Sequence, residues 1–196
     1  MTTRTGTGHR TPRRHSPARA AVIALGAALP VAVAVAIWIT GRHHSPQYTT
    51  GLFGEQGAAA VTLKARLGSA LFALAIVQLL LALWIYGRLP GLTAAPRRVG
   101  ASHRVVGWAA FLLSVPIAYH CVRAYGVETV SARVLLHSVA GCALYGAFVA
   151  KLLVVHSRRL PGWMLPAAGS VLFGAIGVLW YSAALWALNG SAVPGL

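Results

Sequence analysis

Apolar residues in this chain neither alternate nor mark one stripe of short helices; they run. Five stretches, about 20–40, 67–87, 104–125, 133–156 and 164–188, consist mostly of Ala, Leu, Val, Gly and aromatic residues. Each reaches the roughly 20 residues that an α-helix needs to cross about 30 Å of hydrocarbon. The roughly ten-residue dyad pattern of a membrane barrel is absent, so backbone groups inside lipid must be satisfied within helices. The pattern predicts an all-α integral membrane bundle of five transmembrane helices over residues 20–190. Composition agrees: 57% of residues are hydrophobic and 10% charged, and mean hydropathy is +0.68.

The segments outside this unit are short. Residues 1–19, "MTTRTGTGHRTPRRHSPAR", are basic and rich in Ser, Thr, Pro and Gly, which predicts a disordered cytoplasmic tail. Residues 191–196 form a short external tail. A basic segment before an apolar run also fits a signal peptide, but the first run exceeds an ordinary signal core, so helix 1 is expected to stay in the mature chain.

The formal charge of +15 raises nucleic acid as a partner, but the basic residues cluster at the ends of the apolar runs. That distribution points to a lipid bilayer and to no nucleic acid. Eleven Arg fall before helix 1 or in the 2–3 and 4–5 connections, against five basic residues in the other two connections. The excess predicts a cell-membrane protein with a cytoplasmic N-terminus and an external C-terminus.

The acids are Glu55 and Glu128, both in loops. An intramembrane carboxylate for proton coupling is therefore missing. No phosphate-binding loop, dinucleotide fingerprint, HExxH or nucleophile elbow occurs, so no catalytic residue is assigned. Cys121 and Cys142 lie within apolar runs and read as small buried hydrophobes.

Chemistry then rests on histidine. His103 and His120 stand on helix 3 in "RVGASHRVVGWAAFLLSVPIAYHCVRAYG", and His137 and His156 stand on helix 4 in "RVLLHSVAGCALYGAFVAKLLVVHSRR". A short connection predicts antiparallel packing of these helices. His120 then matches His137 near the outer surface, and His103 matches His156 near the inner one. Two histidines facing each other across a helix pair supply both axial nitrogens of a six-coordinate haem, a geometry suited to electron transfer. Gly107 and Gly141, each four residues after a histidine, would make room for the macrocycle. Arg104, Arg123, Arg133 and Arg158 would meet its propionates. Trp108, Tyr119, Tyr145 and Phe148 would wall the ring. The candidate site is thus His103, His120, His137 and His156 as iron ligands, with His120 and His137 the better pair.

The segments "HRVVG" and "HSVAG" resemble the membrane b-type cytochromes of the cytochrome b561 and ferric-reductase-like group, over helices 3 and 4. The chain as a whole looks like a small actinobacterial membrane family of unknown function. The resemblance implies haem b, one or two per chain, in a helical bundle that passes electrons across the membrane. A quinone or a redox protein would be the partner, and an oligomer is compatible with it. The group spaces its paired histidines by roughly four whole turns, about 14 residues. Here the spacings are 17 and 19, each about 100° away from five turns. Pro116 and unwound helix ends are the expected means of rephasing. Lys151, 14 residues after His137, occupies the face where a second histidine would stand, to reach a propionate or to snorkel.

Two other readings stand beside the cytochrome. One is a cofactor-free structural or assembly subunit using Gly141, Ser170, Gly174 and Gly177 for close helix packing. The other is metal handling by His43 and His44.

Overall fold

Helix ends are set by local signals that the long apolar runs lack. Ser131 caps a helix start, its hydroxyl accepting from the Val134 amide at 3.3 Å. Pro96 precedes another start. Gly126, at φ +70°, ends the same helix, and a Cβ there would lie 3.0 Å from the Gly41 carbonyl oxygen. Only glycine suits both the left-handed conformation and the close approach.

The computed structural model describes residues 17–92, 94–157 and 161–195. Residues 1–16 of the expected 1–19 tail and the propionate partner Arg158 lie outside them, while residues 17–19 of that tail are helical. Among the described residues five helices are long and apolar enough to span a membrane. They are α1 (Pro17–His43), α2 (Gly57–Ile85), α3 (Arg97–Tyr125), α4 (Ala132–His156) and α5 (Met164–Leu188). The only extended pairing among them is an isolated bridge between Leu52 and Glu55. The protein is an all-α, multi-pass membrane protein.

Two helices are longer than the apolar runs indicate. α2 begins at Gly57 rather than 67, and α3 at Arg97 rather than 104. Lys64 and His103 therefore stand inside helices. The expected unwound end at His103 is not observed, and α3 continues through Pro116. Charged residues near a helix end leave backbone hydrogen bonding intact, so the helix outlasts its hydrophobic stretch.

The alternation of the chain brings the 44–56 loop to the same end as the α3–α4 connection. The Gln47 amide donates to Arg123 O and the Val127 amide to Gly41 O, at 3.1 and 3.0 Å. Arg42 lies 3.8 Å from Glu128. This end is called the 44–56 end below, and the opposite one the 86–96 end.

Backbones pack closely in the pairs α4–α5, α1–α4, α2–α3 and α2–α5. The expected close pairing of α3 with α4 is absent from that set. Side chains bridge the gap instead: Phe111 and Phe148 stack at 4.2 Å, and Ser114 Oγ meets Tyr145 OH at 3.2 Å. The result is a ring of α2, α3, α4 and α5, with α1 outside it against α4. Leu71, Ala75, Ala110, Leu144, Ala175 and Ile176, drawn from all four ring helices, make the central core.

Glycine decides the tightest crossing, at a position other than the two expected. A Cβ on Gly146 would lie 2.6 Å from the Pro30 carbonyl oxygen, so α1 and α4 touch backbone to backbone. Gly141 has only an ordinary contact in prospect, 3.8 Å to Leu179 of α5. Gly107 faces α2, where a Cβ would lie 3.2 Å from Gln78 Nε2. Neither brings α3 to α4.

Candidate functional site

At the 44–56 end, two imidazoles are held by the protein through one nitrogen each. His120 is 2% exposed, and its Nε2 lies 3.0 Å from the Thr50 carbonyl oxygen. A carbonyl only accepts, so Nε2 carries the proton and Nδ1 the lone pair. That Nδ1 is buried without a hydrogen-bond partner among the described residues.

His137 is held differently. Ser182 Oγ donates to Val178 O at 2.6 Å, as a hydroxyl does to the preceding turn of its own helix. Its lone pair then accepts from His137 Nδ1, 3.1 Å away, which leaves the lone pair of this imidazole on Nε2. Ser182, 0% exposed, belongs to a π-helical segment, Trp180–Leu185, within α5. Such wide turns recur at functional sites. Here the segment also turns the Ser182 carbonyl to Arg133, whose Nη1 donates to it at 2.8 Å.

Lys64 stands on the His120 side of this end, where the His120 and Tyr125 rings lie 6.0 Å apart. Its ammonium sits over the Tyr125 ring, 4.2 Å from the centroid. No carboxylate pairs with it among the described residues. A cation without a carboxylate partner, in a low-dielectric setting, attracts an anionic group.

The expected propionate partners are mostly committed elsewhere. Arg123 donates to Gln47 Oε1 at 2.8 Å, and Arg133 also lies over the Trp186 ring at 3.9 Å. Arg104 is exposed. Of the expected aromatic wall, Phe148 and Tyr145 do lie in the α3–α4 gap. Trp108 reaches Phe148 from a half-exposed position, and Tyr119 is exposed on the bundle surface.

The 86–96 end does not reproduce the arrangement. His156 is exposed and its Nδ1 donates to Leu152 O of its own helix at 2.8 Å. His103 is half-buried, and its buried Nδ1 has no hydrogen-bond partner among the described residues. Gln78 Nε2 donates to the His103 carbonyl, while Gln78 Oε1 is buried without a partner. His103 thus meets Gln78 of α2 and not the expected His156, which is exposed; α3 and α4 are continuous helices, so the 17- and 19-residue spacings are not rephased by unwound ends. His44, weighed with His43 as a metal pair, meets Arg123 O at 3.2 Å. Cys121 and Cys142 are free thiols.

Thr50, Lys64, Gln78 and Ser182 complete these clusters, and sequence reasoning missed all four. Lys64 and Gln78 carried a legible signal, since a Lys two turns into a helix and a Gln in mid-span are costly in lipid unless they face inward. Thr50 acts through its backbone, and Ser182 depends on a π turn, so neither had one.

Residues 22–195 match the model of a family of unknown function, DUF6529. No curated protein and no solved structure matches the chain. With nearly the whole five-helix unit covered by that match, the chain belongs to the DUF6529 family.

Proposed function

We propose that the protein is a membrane b-type cytochrome that binds one haem b between α3 and α4 through His120 and His137. One observation carries the reading: at the same end of the bundle, two imidazoles each have one nitrogen anchored by a protein acceptor and the other left with a lone pair. Metal-ligating histidines characteristically donate their second N–H to a carbonyl or hydroxyl, which fixes the ring and raises its basicity. Thr50 O and Ser182 Oγ do this here. Lys64 would be the cation that meets a propionate. Bound in this way, a haem supplies a one-electron couple with no open position for a substrate. The exposed His156 gives no matching support for a second bis-histidine haem.

The purified, detergent-solubilised protein from haem-replete cells is expected to show a Soret band that shifts on dithionite reduction. A colourless protein would favour the cofactor-free subunit.

Ser182→Ala tests the anchoring. Loss of the acceptor for His137 Nδ1–H should weaken haem retention roughly 10–100-fold, the ordinary cost of removing such a partner. Retention measured by transfer to apomyoglobin checks this, and an unchanged transfer rate would show that the hydroxyl does not hold the ring for iron.

The cytoplasmic excess of Arg further supports a cell-membrane location with the 86–96 end inside and the 44–56 end outside. A reporter fused after Leu196 should then be active only outside the cell, and activity inside would reverse the orientation. Electrons would pass between this haem and a quinone or a redox protein.

A further inference from the structure

We infer that Gln78, His103 and Lys151 form a binding site for the head group of a membrane-soluble quinone or quinol. The three residues come from α2, α3 and α4. They stand seven, six and five residues from the ends Ile85, Arg97 and His156, so at 1.5 Å per residue all lie about 8–11 Å from the 86–96 end. Three helices thus bring polar groups to one depth of the bundle.

Two of the three groups have a defined vacancy in their hydrogen bonding among the described residues. Gln78 spends its Nε2 on the His103 carbonyl, which fixes the amide orientation and leaves Oε1 as a buried acceptor with no partner. Gly107 leaves room for that amide, since a Cβ there would lie 3.2 Å from Nε2. His103 Nδ1 is the second buried atom without a partner. Lys151, five residues from the end of α4 and so at the same depth, is a donor. Polar atoms left unpaired away from water cost free energy, and a ligand that pairs with them recovers it.

The vacancies specify the ligand. Gln78 Oε1 accepts only, so the ligand must bring a donor, as a quinol hydroxyl does. Lys151 donates only, so the ligand must bring an acceptor, as a quinone carbonyl does. A lipid phosphate would satisfy Lys151 and offer nothing to Gln78. The ligand must also enter from lipid and have a flat body. Phe148, three residues before Lys151, and Trp108, five after His103, pack edge to face at 6.1 Å in the α3–α4 gap. Trp108 is 53% exposed, at the side where the two backbones are not in close contact. A planar ring stacks favourably on such a layer. Use of the ligand as an electron donor or acceptor rests on the cytochrome reading, whereas its binding does not.

Menadione serves as the probe, with the full chain in detergent and equilibrium dialysis as the measurement. The wild type should bind about one menadione per chain above micelle partitioning. Gln78→Leu, His103→Phe and Lys151→Met should each weaken binding 10-fold or more, while Val130→Ala, 81% exposed at the opposite end of the bundle, leaves it unchanged. Photolabelling of the wild type with an azido-naphthoquinone, which needs no variant to fold, should mark residues within 103–108 or 148–152. Menadione bound equally by wild type and all three folded variants, or labelling confined to other segments, would overturn the site. A haem-free protein that shows the expected variant dependence would retire the cytochrome and keep the quinone site; a haem-bearing protein without that dependence would do the reverse.

Discussion

Replacing either His120 or His137 with alanine should remove the low-spin Soret band of the purified protein, and replacing His156 should leave it intact. The contrast follows from where each imidazole stands. His120 and His137 come from facing helices at the 44–56 end, and each is anchored through one nitrogen by Thr50 O or Ser182 Oγ. Six-coordinate ligation needs both remaining nitrogens, so loss of either one removes the low-spin state rather than diminishing it. His156 is exposed and bonded to its own helix, so its removal takes nothing from the interior. Reduced-minus-oxidised spectra of the three variants, at matched protein concentration, make the measurement. A full low-spin spectrum in His120→Ala would exclude this ligand pair.

The second large effect is structural. Gly146→Leu should lower stability by about 3 kcal/mol, the upper part of the range for overpacking, because its Cβ meets a backbone oxygen that cannot rotate away. The obstructing atom is Pro30 O at 2.6 Å, with Ala34 Cβ at 3.2 Å behind it. Gly141→Ala is the control. Its Cβ has 3.8 Å to Leu179 Cδ2, and alanine is the better helix former by roughly 0.5–1 kcal/mol, so this variant should be neutral or slightly stabilised. Thermal unfolding in one detergent compares them. Equal midpoints for Gly146→Leu and the wild type would show that α1 does not pack on α4 in the way described.

The two glycines also show how far helix contacts can be read from a chain like this one. Gly141 lies four residues after a histidine, which singles it out, and Gly146 has no such neighbour; yet Gly146 makes the close approach. In a soluble bundle an apolar stripe would distinguish the buried face of α4 from the exposed one. In a membrane both faces are apolar, since lipid and core ask for the same residues. The short α3–α4 connection was therefore the only cue to neighbours. It correctly places the two helix ends together, but the helices diverge, and α4 packs on α1 and α5 instead.

The sequence by itself determined the quantities that depend on length and composition alone. Five apolar runs of spanning length require five helices, because lipid admits no unsatisfied backbone. Their alternation puts His120 and His137 at one end and His103 and His156 at the other. Tertiary structure decided everything that depends on which face meets which. It extended α2 so that Lys64 came to lie over the Tyr125 ring, next to His120, and turned His156 outward. It opened a π turn that presents Ser182 to His137, and it settled which nitrogen of each ring is spoken for. Those outcomes turn on hydrogen bonds between groups as far apart in the chain as Thr50 and His120, or His137 and Ser182. A local pattern cannot encode them, because each partner is chosen only when the packed helices leave it no water to bond with instead.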